Sequence, residues 1–128
     1  MPLKPIKIKS RIESLVQDIK QADYEFGAYD AYMLAQRLVP LFKNNKKAKK
    51  YITDLENVIK KDPQVAFVYA TNILKQPWPE AEPYIMKEPI EAYRYAKEIL
   101  KRRWPEAEPI IKQDRESYNY YKKHFNIK

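Results

Sequence analysis

An all-α fold, arranged as a short α-solenoid of two-helix repeats with an N-terminal capping helix, is what this sequence predicts, and three observations carry it. The block Trp78-Pro79-Glu80-Ala81-Glu82-Pro83 recurs letter for letter at Trp104 to Pro109, 26 residues later. Aligned in full, 62–87 and 88–113 are identical at 14 of 26 positions, and a fixed period of that length marks a helical array. Apolar residues elsewhere recur at helical spacing, and a single glycine argues against a turn-rich β architecture.

The chain reads as one domain of 128 residues, taken in six segments. Residues 1–9 alternate lysine with Leu, Pro and Ile; two prolines there predict an extended arm. Segment 10–29 is the N-terminal helix. Ser10 and Glu13 have the spacing of a capping box, and Ile12, Leu15, Val16, Ile19 and Ala22 form its apolar stripe. Gly27 stands where a left-handed C-cap is expected.

Segment 30–61 is a degenerate repeat. Asp30 is placed to cap a helix carrying Ala31, Leu34, Ala35, Leu38 and Val39, which Pro40 stops or kinks. Ala31 and Ala35 match the paired alanines Ala66/Ala70 and Ala92/Ala96 further on. A basic insertion, Lys43 to Lys50, is expected as a mobile loop. Beyond it, Tyr51 to Lys61 matches the second element of the repeat at a shift of 26, with Ile52 on Trp78, Asp54 on Glu80, Glu56 on Glu82 and Ile59 on Ile85.

Segments 62–87 and 88–113 are the clear repeats. Asp62-Pro63 and Glu88-Pro89 have the form of an N-cap acid followed by proline at the first helical position. Ala66, Ala70, Ile73 and Leu74, with Ala92, Ala96, Ile99 and Leu100, form the expected buried stripe, small alanines allowing close helix approach. The Trp-Pro corner then opens a short, tight second helix. Repetition at one structural position assigns Trp78 and Trp104 to the junction between units. Segment 114–128 is a half-repeat cap. Matched at an offset of 25, Glu116 to Phe125 puts Tyr121 on an array alanine and His124 on an isoleucine.

At these residues the chain resembles tandem repeats found in many proteins of tailed bacteriophages and other viruses. The Asp/Glu-Pro…Ala-Tyr-x-Tyr-Ala-Lys…Ile-Leu-Lys…Trp-Pro-Glu-Ala-Glu-Pro unit carries the likeness, strongly from Asp62 onward and weakly over 30–61. The resemblance implies a role in the cytoplasm of an infected bacterium, and a small viral protein of this kind implies binding to a host enzyme or defence complex.

The catalytic inventory is thin. His124 is the one histidine and lies in the cap; Ser10 reads as a helix cap, and Ser14 and Ser117 have no evident role. Glu80/Glu82 and Glu106/Glu108 are two residues apart, so they do not face one another on a helix, and helix-start electrostatics explains them. No metal or cofactor is expected. No apolar run reaches the ~18 residues of a membrane span, and 1–9 lacks the apolar centre of a signal peptide.

Net charge is +8, which favours an anionic partner. The expected binding surface comprises Lys43, Lys46, Lys47, Lys49 and Lys50, the helix-end group Lys101, Arg102 and Arg103, and Arg94, Tyr93, Tyr118 and Tyr120. The expected function is non-enzymatic: binding and inhibiting or modulating a host protein or ribonucleoprotein, a CRISPR effector being one candidate. The alternative is a module that binds DNA or RNA through the basic loop and the Tyr/Arg surface.

Overall fold

The computed structural model describes residues 5–21, 25–42 and 45–128, and every regular element among them is helical. The chain packs as two compact units, Met1–Ile59 and Lys60–Lys128.

The first unit holds α1 (Pro5–Gln21), α2 (Glu25–Phe42) and α3 (Lys46–Ile59). Several expectations are corrected here. Pro5 opens α1, so 5–9 is helical rather than extended: proline at a helix start loses no hydrogen bond. Gly27 lies inside α2 without a positive φ; it is buried with Ala28, Ala31 and Ala35, where missing side-chain bulk permits close packing. Asp30 is likewise inside α2, and that helix runs past Pro40 to Phe42. The basic insertion is largely the start of α3, not a loop. Asn45 caps it, its Oδ1 accepting from the Ala48 amide at 3.2 Å, and lysine is a good helix former.

In α3, Ala48, Ile52, Leu55 and Ile59 turn inward, and Asp54 pairs with Lys20 of α1 at 3.1 Å. Shifted by 26, the inward positions Ile52, Leu55 and Ile59 coincide with Trp78, Ala81 and Ile85, then Trp104, Ala107 and Ile111, all buried. The burial register is shared, but α3 is one continuous helix where the two later segments are a 3-10 turn followed by a short α-helix.

The second unit repeats itself. Asp62 holds extended backbone and its Oδ1 accepts from the Val65 amide at 3.1 Å, starting α4 (Pro63–Tyr69). The helix widens into a π-type turn over Ala70–Leu74, closed by Lys75 in the left-handed region (φ 55°), whose amide reaches the Ala70 carbonyl at 2.7 Å. Trp78 then enters a 3-10 turn over Pro79–Ala81 and the short α5 (Glu82–Ile85). The copy runs through α6 (Pro89–Tyr95), a π-type turn over Ala96–Leu100, Lys101 (φ 56°), a 3-10 turn over Pro105–Ala107 and α7 (Glu108–Ile111). Asp114 caps the last helix, α8 (Arg115–Phe125), accepting from the Ser117 amide at 3.1 Å.

Glu88 has the same backbone as Asp62 and Asp114 but makes no side-chain cap, its extra methylene carrying the carboxylate past the amides. Ala66, Ala70, Ala92 and Ala96 are buried, as are Trp78 and Trp104. The rest of the stripe needs correcting: Ile73, Leu74, Ile99 and Leu100 are only half-buried, and the large buried side chains are Tyr69, Tyr95 and Tyr121.

The last unit also needs re-registering. Tyr121 occupies the place of Tyr95, at an offset of 26, and not that of an alanine. Asn126, the left-handed cap of α8, matches Lys101 at an offset of 25. Thirteen residues separate N-cap from left-handed cap in the two full repeats (Asp62 to Lys75, Glu88 to Lys101) and twelve in the last (Asp114 to Asn126). The missing residue is the one that makes the π-type turn, which α8 lacks; it is lost after Tyr121 rather than before the helix.

Candidate functional site

The tryptophan corners are built as structure and leave little room for chemistry. The Tyr95 hydroxyl accepts from the Trp78 amide at 2.7 Å and donates to Glu82 Oε2 at 2.7 Å. Tyr121 does the same for Trp104, at 2.8 Å, and for Glu108 Oε2, at 2.7 Å. Each hydroxyl therefore satisfies an amide that the start of a 3-10 turn would otherwise leave orphaned. The rings do a second job: Tyr69 packs on Trp78 and Tyr95 on Trp104, both with centroids 5.1 Å apart. Tyr95 thus clamps the corner before it and pads the one after. Burial, and then the adjoining glutamate, pushes the Tyr95 hydroxyl well above the ordinary tyrosine value and raises that of Tyr121 as well. Glu82 and Glu108 are hydrogen-bond acceptors in these clamps as well as first-turn acids.

The candidate nucleophiles and bases are scattered. Ser117 is buried and its hydroxyl donates to the capping Asp114. Ser14 is exposed on α1, and the Ser10 side chain lies outside the described residues. His124 is exposed and edge-on to Phe125, centroids 4.7 Å apart. Among the described residues no group of three His, Asp or Glu side chains is placed to share a cation, and no helix is long and apolar enough to cross a membrane.

The expected basic surface divides into separate patches. Lys43 and the Lys47 side chain lie outside the described residues. Lys46, Lys49 and Lys50 are exposed in the first turns of α3, which contain no acid. Cations there oppose the helix dipole, so positive potential is concentrated at that helix start. In the second unit Arg103 is committed to Glu108 by a two-pronged contact, Nε to Oε2 at 3.1 Å and Nη2 to Oε1 at 2.9 Å. That guanidinium holds the Glu108 carboxyl below the usual carboxylate range. Lys101 and Arg102 remain exposed, Arg102 donating to the Arg103 carbonyl at 2.8 Å.

The tyrosines also separate. Tyr118 lies half-buried against Tyr121, with Lys112 and Lys122 at 5.6 and 5.1 Å from its ring centroid. Tyr93 and Tyr120 stack across α6 and α8, centroids 6.1 Å apart at 23°. Arg94 is exposed and 3.9 Å from Glu91 Oε2, an oxygen that has no hydrogen-bond partner. Glu91 is buried, and that burial raises its pKa despite Arg94.

Two clefts accompany these patches. One, of about 390 Å³, lies in the first unit between α1 and α2, with Leu15, Asp18 and Ile19 facing Met33, Leu34 and Arg37. It holds two of the exposed large apolar side chains, Leu15 (47%) and Met33 (39%). Leu15 is thus corrected from the buried stripe to the surface. Nothing in the sequence distinguished it from Val16 or Ile19, because its exposure depends on where α2 packs. The other cleft, about 350 Å³ and more polar, lies between successive helix ends, with Lys75 and Gln76 opposite Glu98 and Lys101.

No family model, curated protein or solved structure matches the chain.

Proposed function

We propose that this is a non-enzymatic docking protein, of the viral kind its repeats resemble, which binds and inhibits or modulates a host protein or ribonucleoprotein; a defence complex such as a CRISPR effector fits that class. One observation carries the reading: the open apolar cleft of the first unit, where Leu15 and Met33 stand in solvent beside Leu34. Exposed apolar groups in a concave setting with charged neighbours (Asp18, Asp30, Arg37) are the makings of a protein interface. The thioether of Met33 adapts to irregular partner surfaces, and a cleft between two helices suits an amphipathic helix of the partner. The lysines at the start of α3 add attraction for an acidic or phosphate-bearing surface.

The support against an enzyme is the fate of the reactive groups: Ser117 serves a cap, and His124 faces Phe125 and solvent. The test is capture from a nuclease-treated lysate of the native host, followed by gel filtration of the purified complex. A stoichiometric complex that forms with the natural chain, and is lost when Leu15 and Met33 are both changed to Asp, is the expected result. Unimpaired capture by the double variant, with helicity intact by circular dichroism, overturns the assignment of this cleft.

A further inference from the structure

Beyond protein docking, we infer that α6, the π-type turn after it and α8 of the second unit present a platform for single-stranded nucleic acid, with Tyr120 as the stacking surface and Arg94, Lys97 and Lys101 as the basic groups for the phosphates.

Tyr120 is 48% exposed, with one ring face backed by Tyr93. Its hydroxyl donates to Glu116 Oε1 at 3.0 Å, one helical turn back, in an exposed bond, and the stack on Tyr93 is what sets the ring's position. Tyr93 in turn has the Lys97 ammonium 6.0 Å from its centroid. A pre-positioned aromatic with a free face is the element on which unpaired bases stack without regard to sequence.

The charges are arranged to match. Arg94 in α6 and Lys97 in the π-type turn after it are exposed and three residues apart, and the exposed Lys101 closes that turn in the left-handed conformation. Such spacing makes Arg94 and Lys97 neighbours on the helix surface. The group ends at the polar cleft, where Lys101 faces Lys75. Lys123, also exposed, lies one turn beyond Tyr120 on α8. Glu98 at 4.0 Å from Lys97, Glu116 and Glu91 temper this field, so the binding is modest and salt-sensitive.

The repeat itself does not demand the tyrosine pair. At the shift of 26, Tyr120 corresponds to Arg94 and Val68, and Tyr93 to Phe67 and Asn119. The preceding helix junction therefore presents an arginine where this one presents an exposed tyrosine. A duplex offers phosphates but no open base face, so the platform selects single strands.

Fluorescence anisotropy with 5′-labelled dT12, rU12 and a 12-base-pair duplex, in about 50 mM salt, tests this. Both single strands should bind more tightly than the duplex, since no group at Tyr120 reads the sugar. Tyr120→Ala should weaken single-strand binding by about 5- to 150-fold, the usual range for one stacked base, and Tyr120→Phe should preserve it. Changing Lys97 and Lys101 to Gln should flatten the logarithmic salt dependence by about 1 to 1.5. Equal affinity for duplex, or an Ala variant that binds like the natural chain, overturns the platform. So does an absence of binding to either strand. The Leu15→Asp, Met33→Asp protein should keep full oligonucleotide affinity, so that failure of the platform and failure of the docking cleft are read separately.

Discussion

The two tryptophan corners of the second unit are near copies in backbone and differ in one electrostatic partner. Trp78 and Trp104 share φ/ψ values of −126°/82° and −122°/82°, and each receives a tyrosine hydroxyl from the helix that follows. Yet Glu108 is also gripped by Arg103, while the residue at the equivalent place before Trp78 is Pro77. The helix that clamps the first corner ends in a π-type turn, and the helix that clamps the second does not. What both corners keep is tryptophan, tyrosine hydroxyl and glutamate. This triplet holds the repeat together, while the guanidinium and the extra residue are adjustable.

The largest way to break it is to remove an indole. Trp104→Ala or Trp78→Ala should each cost about 3–5 kcal/mol, read as a fall in Tm and in denaturant midpoint, because a large buried aromatic leaves an unfilled cavity. Nearly equal losses are expected at the two corners. A melt unchanged at either one would remove that tryptophan from the core.

Next in size is the hydroxyl. Tyr95→Phe and Tyr121→Phe leave a buried amide unsatisfied and deprive a carboxylate of its donor, at about 1–3 kcal/mol each. Tyr95→Phe should cost more. Without Tyr121, Glu108 still has Arg103, whereas Glu82 among the described residues has no such second partner. A larger loss at Tyr121 would mean that Arg103 draws its worth from the tyrosine rather than backing it up.

The pH response sharpens the same contrast. Glu108 has a lowered pKa, so its contribution to stability is present above the ordinary carboxylate value of roughly 4.3 and is lost as pH falls through its folded value. Glu91, raised by burial, has the opposite sign: stability is greatest with the carboxyl neutral and declines as pH rises through its folded value. Arg103→Gln should therefore lower Tm at pH 7 and converge with the natural chain once acid takes the pH below the folded value of Glu108. Glu91→Gln should raise Tm at pH 7, with the gain shrinking in acid. Serine stands at the equivalent position of α8, Ser117, where no charge is buried. Thermal melts across that range check both signs.

Much of this array is written in the chain, but unevenly. The period, the alanine seams and the burial of both tryptophans follow from side-chain size repeated at fixed spacing. Tyr121 was hidden because matching from the C-terminal side absorbs the lost residue in the wrong place; only the hydroxyl contacts reveal the register of 26. At the start of α3, lysine spacing is equally compatible with a solvated loop and a solvated helix face, and Asn45 decides the matter by capping. Pro5 and Gly27 misdirect for a related reason, since each is tolerated in a helix at the place it occupies. The docking cleft and the Tyr93–Tyr120 stack depend on which helices meet, and no local pattern carries that.

The smallest effect concerns the left-handed caps, where the two full repeats agree and the last differs. Lys75 and Lys101 hold φ values of 55° and 56°, a region that costs an ordinary L-residue about 1–2 kcal/mol and glycine almost nothing. Lysine near a helix C-terminus recovers about 0.3–1 kcal/mol from the dipole. Replacing either by glycine should therefore stabilise the protein slightly, by about 0.5 kcal/mol, seen as a small rise in Tm. Asn126→Gly should gain less, because asparagine already tolerates that conformation. If Lys101→Gly raises Tm while weakening oligonucleotide binding, the side chain is kept at a cost to the fold for what it contacts. A fall in Tm would instead assign the lysine stem to packing against the helix end.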